Sequence, residues 1–230
     1  MSINKALLLT GLISLSTISA FGQNAKQPHF SKKDSISYAL GVDISQSLKS
    51  SGIDVDLQTL IKGLATAYQG GQLYFDEAAA SQILQNHFAE MRQKQTQALI
   101  EPGQMFLTEM QSKPGVQSTP EGVLYEVLTP GEGRKATVSD EVKVHYAGYL
   151  IDGTKFDSSY DRGEPIVLNL NKVIKGWTIA LPLMNVGAKY KIYIPYELAY
   201  GERGSGRIPP YSTLIFEIEL LDIIKPDGEA

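Results

Sequence analysis

Apolar positions recur at helical spacing through the first half of the chain and alternate at strand spacing through much of the second. Ile36, Leu40, Ile44 and Leu48 stand four apart behind Ser31 and Asp34, which have the spacing of a capping box, and Gly52 follows as a stop. Asp56 can cap a second helix carrying Leu57, Leu60, Ile61, Leu64 and Tyr68, ended by Gly70-Gly71. Asp76 can cap a third, with Ala80, Ile83, Leu84, Phe88 and Met91 on its apolar side. That third pattern runs to about Glu101, a length of about 39 Å at the helical rise, and turns Gln- and Lys-rich past His87. It predicts a long, partly solvent-bridging helix, kinked or broken at Pro102-Gly103. Phe106, Leu107 and Met110 then resume a short apolar stripe.

From Val116 the texture changes. Residues 121–128 alternate weakly, and Val142 to Leu150 read as a strand with Val144, Tyr146 and Gly148 on one face. Tyr190, Ile192 and Ile194 alternate with polar neighbours, as do Leu214, Phe216, Ile218 and Leu220. A single short helix, about Lys172 to Leu181, is expected between strands and ends at Pro182. Several antiparallel strands and one helix predict an α+β unit behind an all-α one. The expected division is a helical segment at 31–112, a polar Pro- and Gly-containing linker at 113–120, the α+β domain at 121–224 and a tail at 225–230.

Ahead of the helices, residues 1–22 have the layout of a secretory signal. Lys5 supplies a positive start, Ala6 to Ile18 an apolar stretch diluted by Ser, Thr and Gly, and Ala20-Phe21-Gly22 a small-x-small cleavage site. This stretch is shorter and more polar than a membrane span, so cleavage is the expectation and an uncleaved anchor the alternative. A flexible 23–30 would then begin the mature chain. The sequence contains no cysteine, which removes disulfides, thiolate chemistry and a lipid-modified N-terminal Cys. A net charge of -4 in 230 residues is too mild, and of the wrong sign, for a nucleic-acid surface.

Familiar catalytic chemistry is missing from the pattern. His29, His87 and His145 are scattered, so neither a metal site nor a nucleophilic triad is expected. Gly201 to Gly206 is glycine-rich but lies outside any strand–turn–helix, which argues against a phosphate loop. What remains is aromatic residues set among turn residues. They run through Val144-His145-Tyr146-Ala147-Gly148-Tyr149-Leu150, Phe156-Asp157-Ser158-Ser159, Asp161-Arg162-Gly163-Glu164-Pro165 and Val173-Ile174-Lys175-Gly176-Trp177. Ala199-Tyr200-Gly201, Ile208-Pro209-Pro210 and Leu214-Ile215-Phe216 complete the series.

This series resembles the FKBP-type prolyl isomerase domain over about residues 116–224. The helical stretch, roughly 31–112, resembles the N-terminal dimerisation domain of bacterial two-domain FKBPs such as the macrophage infectivity potentiator group. The resemblance implies a five- or six-stranded antiparallel half-barrel wrapped on a short helix, with the substrate proline in an apolar cup between them. By matching motif, Trp177 would be the floor, and Tyr146, Phe156, Val173, Ile174 and Phe216 the walls. Tyr200 and the Ile174 N–H would donate to substrate carbonyls, Asp157 would pair with Arg162, and Ile208 would line the rim. Two departures stand out. Ile166 replaces a common aromatic wall residue, and the loop from Tyr200 to Ile208 is one residue short and carries Glu202, Arg203 and Arg207. They imply altered substrate preference and weaker binding of macrolide inhibitors.

Taken singly, Tyr146, Phe156, Phe216 and Trp177 also read as plain core, and Asp157 with Arg162 as a surface pair; it is the constellation that favours a site. The resemblance implies a cofactor-free isomerase that assists folding of exported, proline-containing polypeptides in the periplasm, with outer-surface association as a second destination. A holdase that binds unfolded clients without needing turnover is the alternative. The helical stripes would complete a core in a homodimer, or else pack as a three-helix bundle within one chain.

Overall fold

Three side-chain caps set the helices. In the computed structural model, which describes residues 30–224, Ser31 and Asp34 cap each other's backbone at the head of α1 (Lys32–Ser50). The Asp56 carboxylate accepts from Thr59 N–H to start α2 (Leu57–Tyr68), and Asp76 accepts from Ala79 N–H to start α3 (Glu77–Gln111), each at 2.7 Å. The expected signal at 1–22, most of 23–30 and the tail at 225–230 lie outside the described residues. By its internal contacts the chain divides into two units, one ending at Tyr74 and one beginning at Phe75.

The first unit contributes α1 and α2, and neither helix buries a single residue. The second unit begins with α3, where the structure differs from the sequence reading at one point. The helix is unbroken through Pro102 and runs to Gln111, just ahead of the expected 113–120 linker, and by internal contacts it groups with the strands that follow. Proline removes one backbone donor and crowds the preceding turn, which disfavours a helix interior. Here tertiary packing outweighs that local cost. Gly103 is buried, and a Cβ on it would stand 2.4 Å from Thr213 Oγ1. One helical turn on, the Phe106 ring meets Tyr193 at 5.9 Å, and Met110 packs with Leu124 and Tyr193 in a small core of its own. The Pro-Gly pair therefore marks a close contact instead of a stop.

The sheet has seven strands, more than the five or six expected. They are β1 (Val116–Ser118), β2 (Leu124–Thr129), β3 (Glu141–Leu150), β4 (Lys155–Ser158), β5 (Ile166–Asn169), β6 (Lys189–Ile194) and β7 (Leu214–Ile224). The order is β1-β2-β6-β7-β3-β4, with β5 also on β3, and every pairing is antiparallel. Strand β3 is the pivot, because its first half pairs β5 and its second half pairs β4. The inward residues follow the period of two: Val142, Val144 and Tyr146 on β3, Ile192 and Ile194 on β6, and Leu214, Phe216, Ile218 and Leu220 on β7. Against this face lies α5 (Lys175–Ala180), shorter than expected and flanked by 3-10 turns at Leu170–Lys172 and Leu181–Leu183. Its Trp177, Ala180 and Leu181 join Met184 and the sheet residues in one core. A single-turn helix that the sequence reading missed, α4 (Ser159–Arg162), follows β4.

Candidate active site

An open cavity of about 470 Å³ lies between α5 and the sheet. Trp177 is its floor, buried to 5% exposure, with its indole N–H free of any partner among the described residues. The ring stands edge-on to Tyr146 and to Phe216, each at 5.2 Å between centroids. Phe156 stands edge-on to Phe216 at 5.5 Å. Such edge-to-face pairs hold the rings in fixed orientations beyond what burial alone requires. Gly148 makes the wall continuous. It pairs across β3 and β7 with Phe216, and a Cβ there would stand 2.6 Å from Phe156 Cζ and 2.8 Å from Phe216 Cε1. Only a residue without a side chain leaves room for both rings.

One polar group set lies on the side of this cup. The Tyr146 hydroxyl donates to Asp157, whose other oxygen is paired with Arg162 and accepts the Ser158 N–H at 2.8 Å. Arg162 also donates to the Tyr146 hydroxyl at 3.0 Å and sits 5.6 Å from that ring's centre. The one-turn α4 makes this reach. Ser158 caps its start, and Gly163 ends it at φ 79°, a left-handed conformation that suits glycine. Ser159, fully buried, accepts from Tyr146 N–H at 2.7 Å and lies 2.9 Å from His145 Nδ1, tying β3 to this turn from behind.

Burial works to raise the Asp157 carboxyl, but the hydrogen bonds from Tyr146 and Arg162, the Arg162 charge and the Ser158 N–H outweigh it and hold the group below its ordinary range. Tyr146 moves up, through burial first and the Asp157 contact second. Tyr200 moves up through burial and then the charge of Asp157. At neutral pH the site therefore presents an ionised carboxylate and two protonated phenols.

Tyr146, Phe156, Asp157, Ile166, Val173, Ile174, Trp177, Tyr200 and Phe216 all line the cavity. Arg162 and Ile208 do not. Arg162 acts on the lining through Asp157 and Tyr146, while Ile208 turns into the core at 7% exposure. The loop geometry explains Ile208. Its N–H and C=O both bond to Ser205, and Gly204, at φ 65°, has the Ile208 carbonyl so close that a Cβ would stand 2.2 Å from it. Leu168 and Lys172 line the cavity without having been expected there. Leu168 had a signal, since it lies two residues from Ile166 on the same face of β5. The Ile174 carbonyl accepts from Trp177 and Thr178, whereas its N–H takes part in none of the hydrogen bonds among the described residues.

A short helix packed on an antiparallel sheet, with an aromatic cup between them, has the layout expected of a prolyl isomerase domain. The comparisons with known proteins agree. The family described as "FKBP-type peptidyl-prolyl cis-trans isomerase" matches residues 132–221, and "Domain amino terminal to FKBP-type peptidyl-prolyl isomerase" matches 33–127. The chain is 44% identical over 193 residues to the FKBP-type 22 kDa peptidyl-prolyl cis-trans isomerase of Escherichia coli, covering 82% of this chain and 94% of that one. It is 38% identical over 226 residues to peptidyl-prolyl cis-trans isomerase Mip of Coxiella burnetii, covering 95% and 98%. The crystal structure of FkpA from Escherichia coli superposes with a TM-score of 0.54 at 35% identity, covering 84% of this chain and 97% of that one. The chain belongs to the FKBP-type peptidyl-prolyl cis–trans isomerases. It is a two-part member, with a helical region ahead of the isomerase domain.

Proposed function

We propose that the enzyme accelerates Xaa-Pro rotation by seating the proline on Trp177 and removing water from the adjoining amide. Supporting this is the cup itself, whose floor and walls are aromatic and whose one carboxylate is already engaged by Tyr146 and Arg162. An amide resists rotation because resonance makes its C–N bond partly double, with a barrier of about 18–20 kcal/mol. The planar form carries negative charge on oxygen and is favoured by water. The twisted form has lost that charge separation and loses less in an apolar cup. Binding the twisted form better than the planar one is all the catalysis required. The Ile174 N–H and the Tyr200 hydroxyl, carried by residues that line the cavity and without a hydrogen-bond partner among the described residues, would hold the flanking carbonyls in a turn.

The mechanism predicts a flat pH–rate profile. Asp157 is held below its ordinary range, so it is ionised throughout pH 6–8, and Tyr146 and Tyr200, both raised, stay protonated there. NMR exchange rates for a Leu-Pro peptide across this window are expected to vary less than about twofold. A bell-shaped profile would instead require acid–base chemistry. Because the Asp157 pKa is depressed on folding, the stability it contributes is present above the ordinary carboxylate pKa, about 3.9, and is lost as pH falls through the folded value.

We further propose that the helical region forms a homodimer. What supports it is the bare apolar surface of α1 and α2, where Ile36, Leu40, Ile44, Leu57, Ile61 and Leu64 are between 41% and 63% exposed. Helices this short are stabilised mainly by burying such a face. Sedimentation equilibrium at micromolar concentration is expected to give twice the chain mass, and Leu40→Glu with Leu64→Glu to give the monomer. A wild-type monomer would favour packing within one chain.

The clients are proposed to be unfolded, proline-containing exported polypeptides, with the protein in the periplasm or at the outer surface. One relative, 37% identical over 201 residues, is named an outer membrane protein of Legionella longbeachae. Among the described residues no helix is long and apolar enough to cross a membrane.

A further inference from the structure

Beside the cup lies a second concavity that the reaction on proline does not use. It has a volume of about 630 Å³, and Val138, Val173, Thr178 and Ile179 supply its lining with Ser139, Asn171 and Lys175. Val173 lines both hollows, so the groove adjoins the cup at that residue. Val138, one of the groove's lining residues, is 53% exposed, an apolar side chain left open to water. Two lysines mark the passage: Lys172 lines the cup and Lys175 lines the groove. Neither takes part in an ion pair among the described residues, and no carboxylate lines the groove. The only carboxylate lining the cup, Asp157, is engaged by Arg162. On a chain of net charge -4 this is a local surplus of positive charge next to apolar surface.

We infer that this groove is a second subsite for the client, taking the segment beside the bound proline and selecting a branched apolar residue followed by an acidic one. The inference rests on the proline occupying the cup. An extended chain advances about 3.3 Å per residue, so the residues next to the proline would pass over Val173 toward Val138. The apolar residue covers Val138 and Ile179, and the carboxylate lies between Lys172 and Lys175. Affinity then depends on sequence around the proline that the cup itself never touches. The subsite makes the enzyme favour acidic, apolar flanks over basic ones.

The test uses the whole protein and Leu-Pro peptides, with NMR line shapes giving binding and exchange together. A four-residue core peptide is compared with versions extended on its N-terminal or C-terminal side by Gly-Val-Glu-Ser or by Gly-Ser-Ser-Ser. One of the two Val-Glu extensions is expected to tighten Kd about tenfold over its serine control, equal to about 1.4 kcal/mol. The paired change Val138→Ser and Lys175→Glu, both exposed positions outside the cup, is expected to abolish that gain and leave the core peptide unchanged. Equal affinity for Val-Glu and serine extensions on both sides would overturn the subsite, as would a gain that survives the paired change. Failure to accelerate the core peptide would overturn the cup reading itself, and the subsite with it; normal exchange with no flank effect removes the subsite alone.

Discussion

Phe156→Ala is expected to lower kcat/KM for a Leu-Pro peptide about a hundredfold, equal to about 2.7 kcal/mol of transition-state stabilisation. The ring is one wall of the cup and is held edge-on by Phe216 over the bare backbone of Gly148. Its removal opens the cavity to water at the point where the twisting amide would lie. Water restores the advantage of the planar, charge-separated form, so the loss should fall on the rotation step more than on binding. Phe156 is only half-buried, and the fold should lose about 1–3 kcal/mol, less than a fully buried aromatic. Circular dichroism with exchange NMR separates the two effects. Exchange within threefold of wild type in a folded variant would remove Phe156 from the mechanism. The same variant decides between an isomerase and a holdase: suppression of client aggregation at wild-type level, with exchange lost, would show that client binding does not need turnover.

Much of this site was legible because its parts are local. Turn residues and aromatic residues stand close together in short motifs; Tyr146, Phe156, Trp177 and Phe216 were named because those motifs resemble the FKBP-type domain's, and all four line one cavity. The helix starts were equally local, since Ser31, Asp56 and Asp76 each need only a backbone N–H a few residues away. What sequence hid was set by contacts between distant segments. Pro102 reads as a break because the local rule is unfavourable, and nothing nearby announces that Gly103 will press on Thr213 or Phe106 on Tyr193. The resemblance implies a rim position for Ile208, yet its side chain is buried in the core beside a loop closed by its paired bonds to Ser205. Lys172 could not be placed either, because its position follows from how the 3-10 turn after β5 leads into α5.

Gly176→Ala is expected to destabilise the fold and to reach the site as well. Two effects oppose each other. Alanine is favoured over glycine in a helix by about 1 kcal/mol. Against that, the new Cβ would stand 2.4 Å from Ile194 Cγ2 and 2.6 Å from its Cδ1, closer than such atoms come without something moving. Ile194 is fully buried on β6 between β2 and β7, so its side chain has no free space to swing into. Overpacking of a filled core costs about 1–3 kcal/mol, which should exceed the propensity gain by up to about 2 kcal/mol, and the melting temperature is expected to fall by up to about 8 °C. The strain also reaches the chemistry, because Trp177 is the next residue and the helix must tilt off the sheet to admit the methyl. Exchange activity is therefore expected to drop at temperatures where the variant is still folded. Ile194→Ala removes all the atoms in conflict. In a double-mutant cycle followed by urea denaturation, Gly176→Ala with Ile194→Ala should be more stable than the sum of the two single losses by about 1–2 kcal/mol. Additivity within error would mean that the helix already stands clear of β6, and that glycine at 176 is there for some reason other than the close approach of α5 to the sheet.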